Sequence, residues 1–393
     1  MGDAQTLSAE EQLRLAQEQF EAGRDFTLAV EEEFALLDPD TLGMVNRFEE
    51  LQAAAMETPL GEHIAGELIA SEIEVKTGKC ESFAEAATKL GERRAELLEL
   101  ADAHDVLLGA TGTHPWSPWQ EQRIIDTPHY RRNDEILRYV VWRNNTFGLH
   151  VHIGIQGADR AVAVCNALRG YLPELLALSA SSPFIEDCYT HLHSARSQAF
   201  TRMFPRCGIP DTFDDWADYE QFLLYLYTTG SVTEHTQLWW SVRLHLQFPT
   251  VEIRICDGQP ELSESRSVSA LCYALAARIA RALDEGEPVP VYRPRLIEEN
   301  FWRAIRHGLS GELLDFSRMD EFRARPARQA LEELIEWVMP VAEELGVASY
   351  LHVPDANAAE RQMARHAEGA ELREIYAEQV ARTRDVEVEA PHV

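Results

Sequence analysis

Four short segments concentrate side chains that could do chemistry. Glu31-Glu32-Glu33 lies in an apolar run, Phe26 to Leu37. Glu72 and Glu74 alternate with Ile73 and Val75. His150 and His152 alternate within Phe147–Ile155, and Glu252 and Arg254 within Val251–Cys256. On a strand, residues i and i+2 share a face, so Glu31 pairs with Glu33, Glu72 with Glu74, His150 with His152, and Glu252 with Arg254. Two carboxylates about 7 Å apart on one face repel each other unless a cation stands between them. Oxygen donors of this kind suit magnesium or manganese. Two histidines two residues apart could instead share zinc, given a third ligand from His114, His191, His193 or His245. Glu252 with Arg254 reads either as a cross-strand ion pair or as a metal ligand beside a phosphate-binding guanidinium. Each segment alone fits an ordinary polar sheet face. Together they fit a sheet lined with anionic ligands and filled by cations.

The elements that must position these groups are legible from periodicity. Ser8 and Glu11 form a capping box that opens a helix over 8–23. Strands are expected at 26–37, 68–75, 106–111, 147–155, 242–248 and 250–256, with a turn at Pro249. Helices are expected at 82–105, 158–179, 214–229, 232–236, 262–284, 295–308, 326–345 and 356–382, with Pro340 kinking or ending its helix. Residues 186–213 read as irregular. Strands and helices mix without a βαβα rhythm, which indicates an α+β fold. No linker or repeat divides residues 1–393, so a single domain is expected, with the helical part from about 295 to 393 as a cover.

The 393 residues carry a formal charge of −30. A surface this acidic repels nucleic acid and anionic membranes, so neither is expected as a partner. A polyanionic substrate would then need bound cations and local arginines. The six cysteines are scattered without a CxxC pair, as in a reducing compartment. No run of about 18 apolar residues suggests a membrane span, and the N-terminus lacks signal character, so a cytoplasmic location is expected. There is no GxxxxGK[ST], GxGxxG or GxSxG, which disfavours a P-loop, a dinucleotide fold or a serine hydrolase.

In order along the chain, Val30-Glu-Glu-Glu-Phe34 with Asp38-Pro39, Glu74-Val-Lys-Thr-Gly78, Gly112-Thr-His-Pro115, Tyr130, Phe147-Gly-Leu-His-Val-His-Ile-Gly154 and Glu252-Ile-Arg-Ile-Cys-Asp257 resemble the second glutamate–cysteine ligase family, in particular its short bacterial carboxylate–amine ligases. The resemblance runs from about residue 26 to about 380. It implies a glutamine-synthetase-like fold, in which a curved, mostly antiparallel sheet forms a funnel with helices outside. It implies ATP and Mg2+ (or Mn2+) as cofactors. An acid such as glutamate would be joined to an amine such as cysteine through an acyl phosphate, and a homodimer is compatible with it. By motif, Glu31, Glu33, Glu74, His150 and Glu252 match metal ligands, and Arg254 matches the arginine near the transferred phosphoryl group. Arg196, in Ser194-Ala-Arg196, matches the arginine that holds a substrate carboxylate. Glu32 should point away, and His152 is a lesser site candidate. Ser241 stands where Asp is common, Leu244 where Pro is common, and His191 and His193 where aromatic or small residues are usual; all should border the substrate pocket. The alternatives are a zinc hydrolase using His150 and His152, a phosphotransferase related to guanidino kinases, and a binding protein that has lost turnover.

Overall fold

A computed structural model describes residues 7–386. Its centre is a seven-stranded antiparallel sheet made of β1 (Leu28–Leu37), β2 (Ile64–Ala65), β3 (Glu72–Lys76), β4 (Leu107–Gly109), β5 (Gly148–Gly154), β6 (Val242–His245) and β7 (Thr250–Asp257). The order is β6-β7-β5-β1-β3-β2, with β4 also paired to β1. The fold class is therefore the expected α+β.

Alternation divides the sheet cleanly. Leu28, Val30, Phe34 and Leu36 of β1, Ile73 and Val75 of β3, Leu149, Val151 and Ile153 of β5, and Val251, Ile253 and Ile255 of β7 are all buried in the core. The intervening residues, among them Glu31, Glu33, Glu72, Glu74, His150, His152, Glu252 and Arg254, take the other face. Register then decides which polar groups are neighbours. Glu33 lies opposite Glu74, and Glu31 lies opposite both Lys76 and His150. Glu252 lies opposite both His152 and Arg243.

Glu32 does point away, into the helical layer. Its carboxylate receives Arg94 Nε at 3.1 Å and Arg94 Nη2, and the Ser265 hydroxyl at 2.5 Å. The same guanidinium donates to the carbonyls of Gln259 and Pro260. Arg94 lies on helix Phe83–Ala103 and Ser265 on helix Leu262–Asp284, so one buried ion pair ties two helices to β1. Removing a single partner of such a pair leaves an uncompensated charge in the core. Arg94→Ala should therefore lower the unfolding free energy by about 3–5 kcal/mol in urea titration, and Glu32→Leu/Arg94→Leu should recover much of it. A double variant no more stable than the single one would refute this account.

Several elements differ from the sequence expectation. Residues 186–213 are not wholly irregular: helix Ala195–Met203 begins at Ser194, whose hydroxyl caps the Ser197 amide at 3.1 Å. The stretch 158–179 is two helices, Ala158–Leu168 and Leu172–Ser179, separated by a 3-10 turn that leads into Pro173. It is long and apolar enough to resemble a membrane span, yet 78% of its most apolar window is buried inside the molecule. The stretch 356–382 is also two helices, Ala358–Ala367 and Leu372–Thr383, broken at Gly369 with φ +91°, a conformation that favours glycine. Pro340 neither ends nor interrupts helix Ala327–Glu344. The C-terminal part also contains a small hairpin, Glu312–Leu314 with Ala324–Pro326. Helices Phe48–Ala55 and Pro128–Leu137 had no counterpart in the periodicity.

Candidate active site

The polar face of the sheet forms the floor of a cavity of about 390 Å³. Six carboxylates line it: Glu31, Glu33, Glu67, Glu72, Glu74 and Glu252. Four cationic side chains join them: Lys76, Arg196, Arg243 and Arg254. His150 and His152 stand between the two sets, 2% and 4% exposed.

The predicted metal ligands all converge here. Glu31, Glu74 and His150 form one group whose ligand atoms lie within 4.8 Å of one another; Glu31, His152 and Glu252 form a second, and Glu33, Glu67 and Glu74 a third. Two donors about 2.1 Å from a shared octahedral ion stand roughly 3–4 Å apart, and the spacings match. His150 Nδ1 lies 3.5 Å from Glu31 Oε2, His150 Nε2 lies 3.6 Å from Glu33 Oε1, and His152 Nε2 lies 3.4 Å from Glu31 Oε2. His150 Nδ1 and His152 Nε2 are buried without a hydrogen-bond partner. Burial, then the nearby Arg254 charge, lowers the His150 pKa and favours the neutral form that a metal requires.

Five of these carboxylates fall into two electrostatic classes. Burial alone would raise Glu31, Glu67, Glu72, Glu74 and Glu252. In Glu252 this is overridden by Arg243, whose Nε lies 2.6 Å from Oε2, and by Arg254, bonded to Oε1, so its pKa falls well below the usual range. In Glu31 it is overridden by the neighbouring His152 and His150 imidazoles and by Lys76. In Glu72 and Glu74 burial prevails, reinforced by Glu33 beside the first and Glu31 beside the second, and both sit well above the usual range. Burial, then the Glu33 charge, pushes Glu67 up to about 7.

Arg196 reaches the cavity from the second position of helix Ala195–Met203. The Asp257 carboxylate, wholly buried, accepts the Ser194 hydroxyl at 2.9 Å, the Ser182 hydroxyl at 2.6 Å and the Ser181 amide at 3.0 Å, which fixes the helix start against β7. β7 is irregular between Ile253 and Cys256, a device that re-aims strand side chains. The Arg196 guanidinium donates to the Ile255 and Arg254 carbonyls at 3.1 and 3.3 Å. A Cβ on Gly148 would stand 2.4 Å from Arg196 Nη2, so a larger residue there would displace the guanidinium.

Three site residues escaped the sequence reading. Glu67 lies in the irregular stretch before β3, where no periodicity marks it; the Tyr130 hydroxyl, 2.5 Å from the Gly66 carbonyl, braces that stretch. Lys76 lies 2.6 Å from Glu74 and 3.3 Å from Glu31. Arg243 could have been found from the hairpin alone, since the turn at 246–249 sets it opposite Glu252. Of the zinc candidates, only His245 approaches the site, its ring 5.3 Å from that of His152. His114 donates instead to the Leu42 carbonyl, and neither His191 nor His193 lines the cavity. Of the positions expected to border the substrate pocket, Ser241 and Leu244 are likewise absent from the lining.

A family profile described as glutamate-cysteine ligase family 2 matches residues 27–378. A protein of Solibacter usitatus named "Putative glutamate--cysteine ligase 2" is 36% identical over 354 residues, covering 89% of this chain and 91% of its own. One of Rubrobacter xylanophilus, "Putative glutamate--cysteine ligase 2-3", is 41% identical over 333 residues, covering 84% of this chain and 88% of its own. Among solved structures, glutamate–cysteine ligase from Francisella tularensis, in complex with AMP, superposes with a TM-score of 0.63 at 13% identity, covering 92% of this chain and 90% of that one. Profile, relatives and fold agree: the chain belongs to glutamate–cysteine ligase family 2.

Proposed function

We propose that this chain is an ATP- and Mg2+-dependent ligase that joins the side-chain carboxylate of an amino acid such as glutamate to an amine such as cysteine. The observation that carries this reading is the convergence of five carboxylates and two imidazoles from separate elements into three overlapping, mainly oxygen-donor groups in one cavity. Hard divalent cations suit such donors, whereas zinc in a hydrolase favours more nitrogen or sulfur ligands. Glu31, Glu33, Glu67, Glu74, Glu252, His150 and His152 would hold Mg2+, which would neutralise charge on the phosphates of ATP.

In this reading the protein positions reactants and offers no covalent nucleophile. A carboxylate oxygen of the acid attacks the γ-phosphorus, ADP leaves, and an acyl phosphate results. The amine then attacks the acyl carbon, phosphate leaves, and the nitrogen loses a proton to give the amide. Arg254, on the cavity face beside Glu252, stabilises the transferring phosphoryl group. Arg196, tethered by two carbonyls, holds a substrate carboxylate. The chain acts as one catalytic unit with its C-terminal helices as a cover. In support, Ala327–Glu344 packs on Leu262–Asp284, and Leu372–Thr383 packs on β4.

An ADP-release screen over paired acids and amines with Mg2+ tests the reading. ADP and amide should form together, in equal amounts, for at least one pair. A phosphorylated product formed without any amine would make the protein a phosphotransferase instead.

A further inference from the structure

Five of the six cavity carboxylates have an account in charge and geometry. Arg243 and Arg254 hold Glu252, and Lys76 holds Glu31 and Glu74. Glu33 accepts the Gly148 amide and shares a donor group with Glu67 and Glu74. Glu72 is the exception. It lines the same cavity, is 1% exposed, and its Oε2 has no hydrogen-bond partner. It belongs to none of the three donor groups found among the described residues. A carboxylate this deeply buried costs several kcal/mol when ionised unless a cation meets it.

Arg196 shows the complementary deficit. It is 5% exposed and held by two carbonyls, with Asp257 Oδ1 at 3.7 Å, but its Nε has no partner. One cavity thus presents a carboxylate oxygen and a guanidinium N–H that each lack a hydrogen-bond partner, with the Arg196 charge acting on Glu72. That pair complements a zwitterion, and it discriminates, because a site built around buried polar groups rejects analogues that leave them unpaired.

We propose that Glu72 binds the α-ammonium group of the acid substrate while Arg196 binds its α-carboxylate, so that the donor is an α-amino acid rather than a simple dicarboxylate. This rests on the carboxylate–amine ligase reading. It assigns Glu72 to substrate recognition and not to the metal cluster.

The test compares L-glutamate with glutarate, the same dicarboxylate without the ammonium group. Binding is measured calorimetrically with Mg2+ and a non-hydrolysable ATP analogue, for the full chain and for Glu72→Gln. Wild type should bind glutamate about 10- to 100-fold more tightly than glutarate, from one charge-assisted contact. Glu72→Gln should bring the two acids within about threefold by weakening glutamate alone, with Mg2+ affinity unchanged. Glu72→Asp, which keeps the charge, should restore part of the preference, and thermal melting checks that both variants fold. An unchanged preference overturns the proposal, as does an equal loss for both acids with weakened Mg2+ binding, which would make Glu72 a metal ligand. If the acid that supports ADP release carries no α-amino group, the proposal fails while the ligase reading stands. If no acid supports ADP release, both fall.

Discussion

Glu252→Ala is expected to abolish Mg2+-dependent ADP formation and also to destabilise the protein, by about 3–5 kcal/mol in urea titration. The sequence alone suggests that alanine at Glu74 or at Glu252 would remove activity and leave the fold intact. The structure separates the two sites. Glu252 is paired with both the Arg243 and the Arg254 guanidinium, and the Arg243 side chain beside it is only 7% exposed. Deleting Glu252 leaves those charges unpaired in the interior, which costs more than the pair itself contributes. Glu252→Gln keeps an acceptor for Arg243 and should recover part of the stability while remaining inactive. An alanine variant as stable as wild type would mean that Arg243 and Arg254 find other partners.

The second large effect is the response of stability to pH and Mg2+. The folded-state pKa values of Glu72 and Glu74 lie well above those of free carboxylates, and that of Glu67 is about 7. Burial dominates in each. The folded protein therefore holds protons that the unfolded chain releases. The stability linked to these groups is fully present below about pH 4.5 and is lost as pH rises, for Glu67 through about 7. Glu31 and Glu252 act oppositely: their pKa values are depressed, so their contribution is present above about pH 4.5 and lost only in stronger acid. Between pH 5.5 and 8 the raised group governs, and metal-free protein should melt at lower temperature as pH rises.

Mg2+ competes with those protons, so its stabilisation should be larger at pH 8 than at pH 5.5, reaching about 2.7 kcal/mol at 100 times its Kd. Glu74→Gln should make the metal-free protein as stable as wild type or more so, flatten its pH dependence, and reduce the Mg2+ gain. Thermal melts with EDTA and with Mg2+ at the two pH values decide this. An Mg2+ effect independent of pH would show that no proton-bearing carboxylates are displaced by the metal.

Much of this site was readable before any coordinates, because a strand's period of two is exact. Once Glu31, Glu33, Glu72, Glu74, His150, His152, Glu252 and Arg254 were placed on strands, their common face followed without knowledge of strand order. Glu32 was assigned to the far side by the same rule, and its contacts with Arg94 and Ser265 lie there. Helix breaks were harder to read. Residues 158–179 and 356–382 are helix-forming almost throughout, and their interruptions come from a 3-10 turn and from one glycine in a left-handed conformation. Ser194 did carry an N-cap signal, but nearby Pro205, Gly208 and Pro210 obscured it.

Tertiary structure supplied what no local pattern encodes. Glu67 comes from an aperiodic stretch, and its neighbour Gly66 is braced by Tyr130, 64 residues further on. The balance of charges is equally non-local. Strand periodicity identifies which carboxylates share a face, since that depends on residues two apart in the chain. Which of them meet Lys76, Arg243 or Arg254, and which remain unmatched as Glu72 does, depends on strand register and burial. Those are properties of chain segments far apart in sequence, as Glu31 and Glu252 are, and they separate the acids that hold a charge of their own from those that need a cation to hold it.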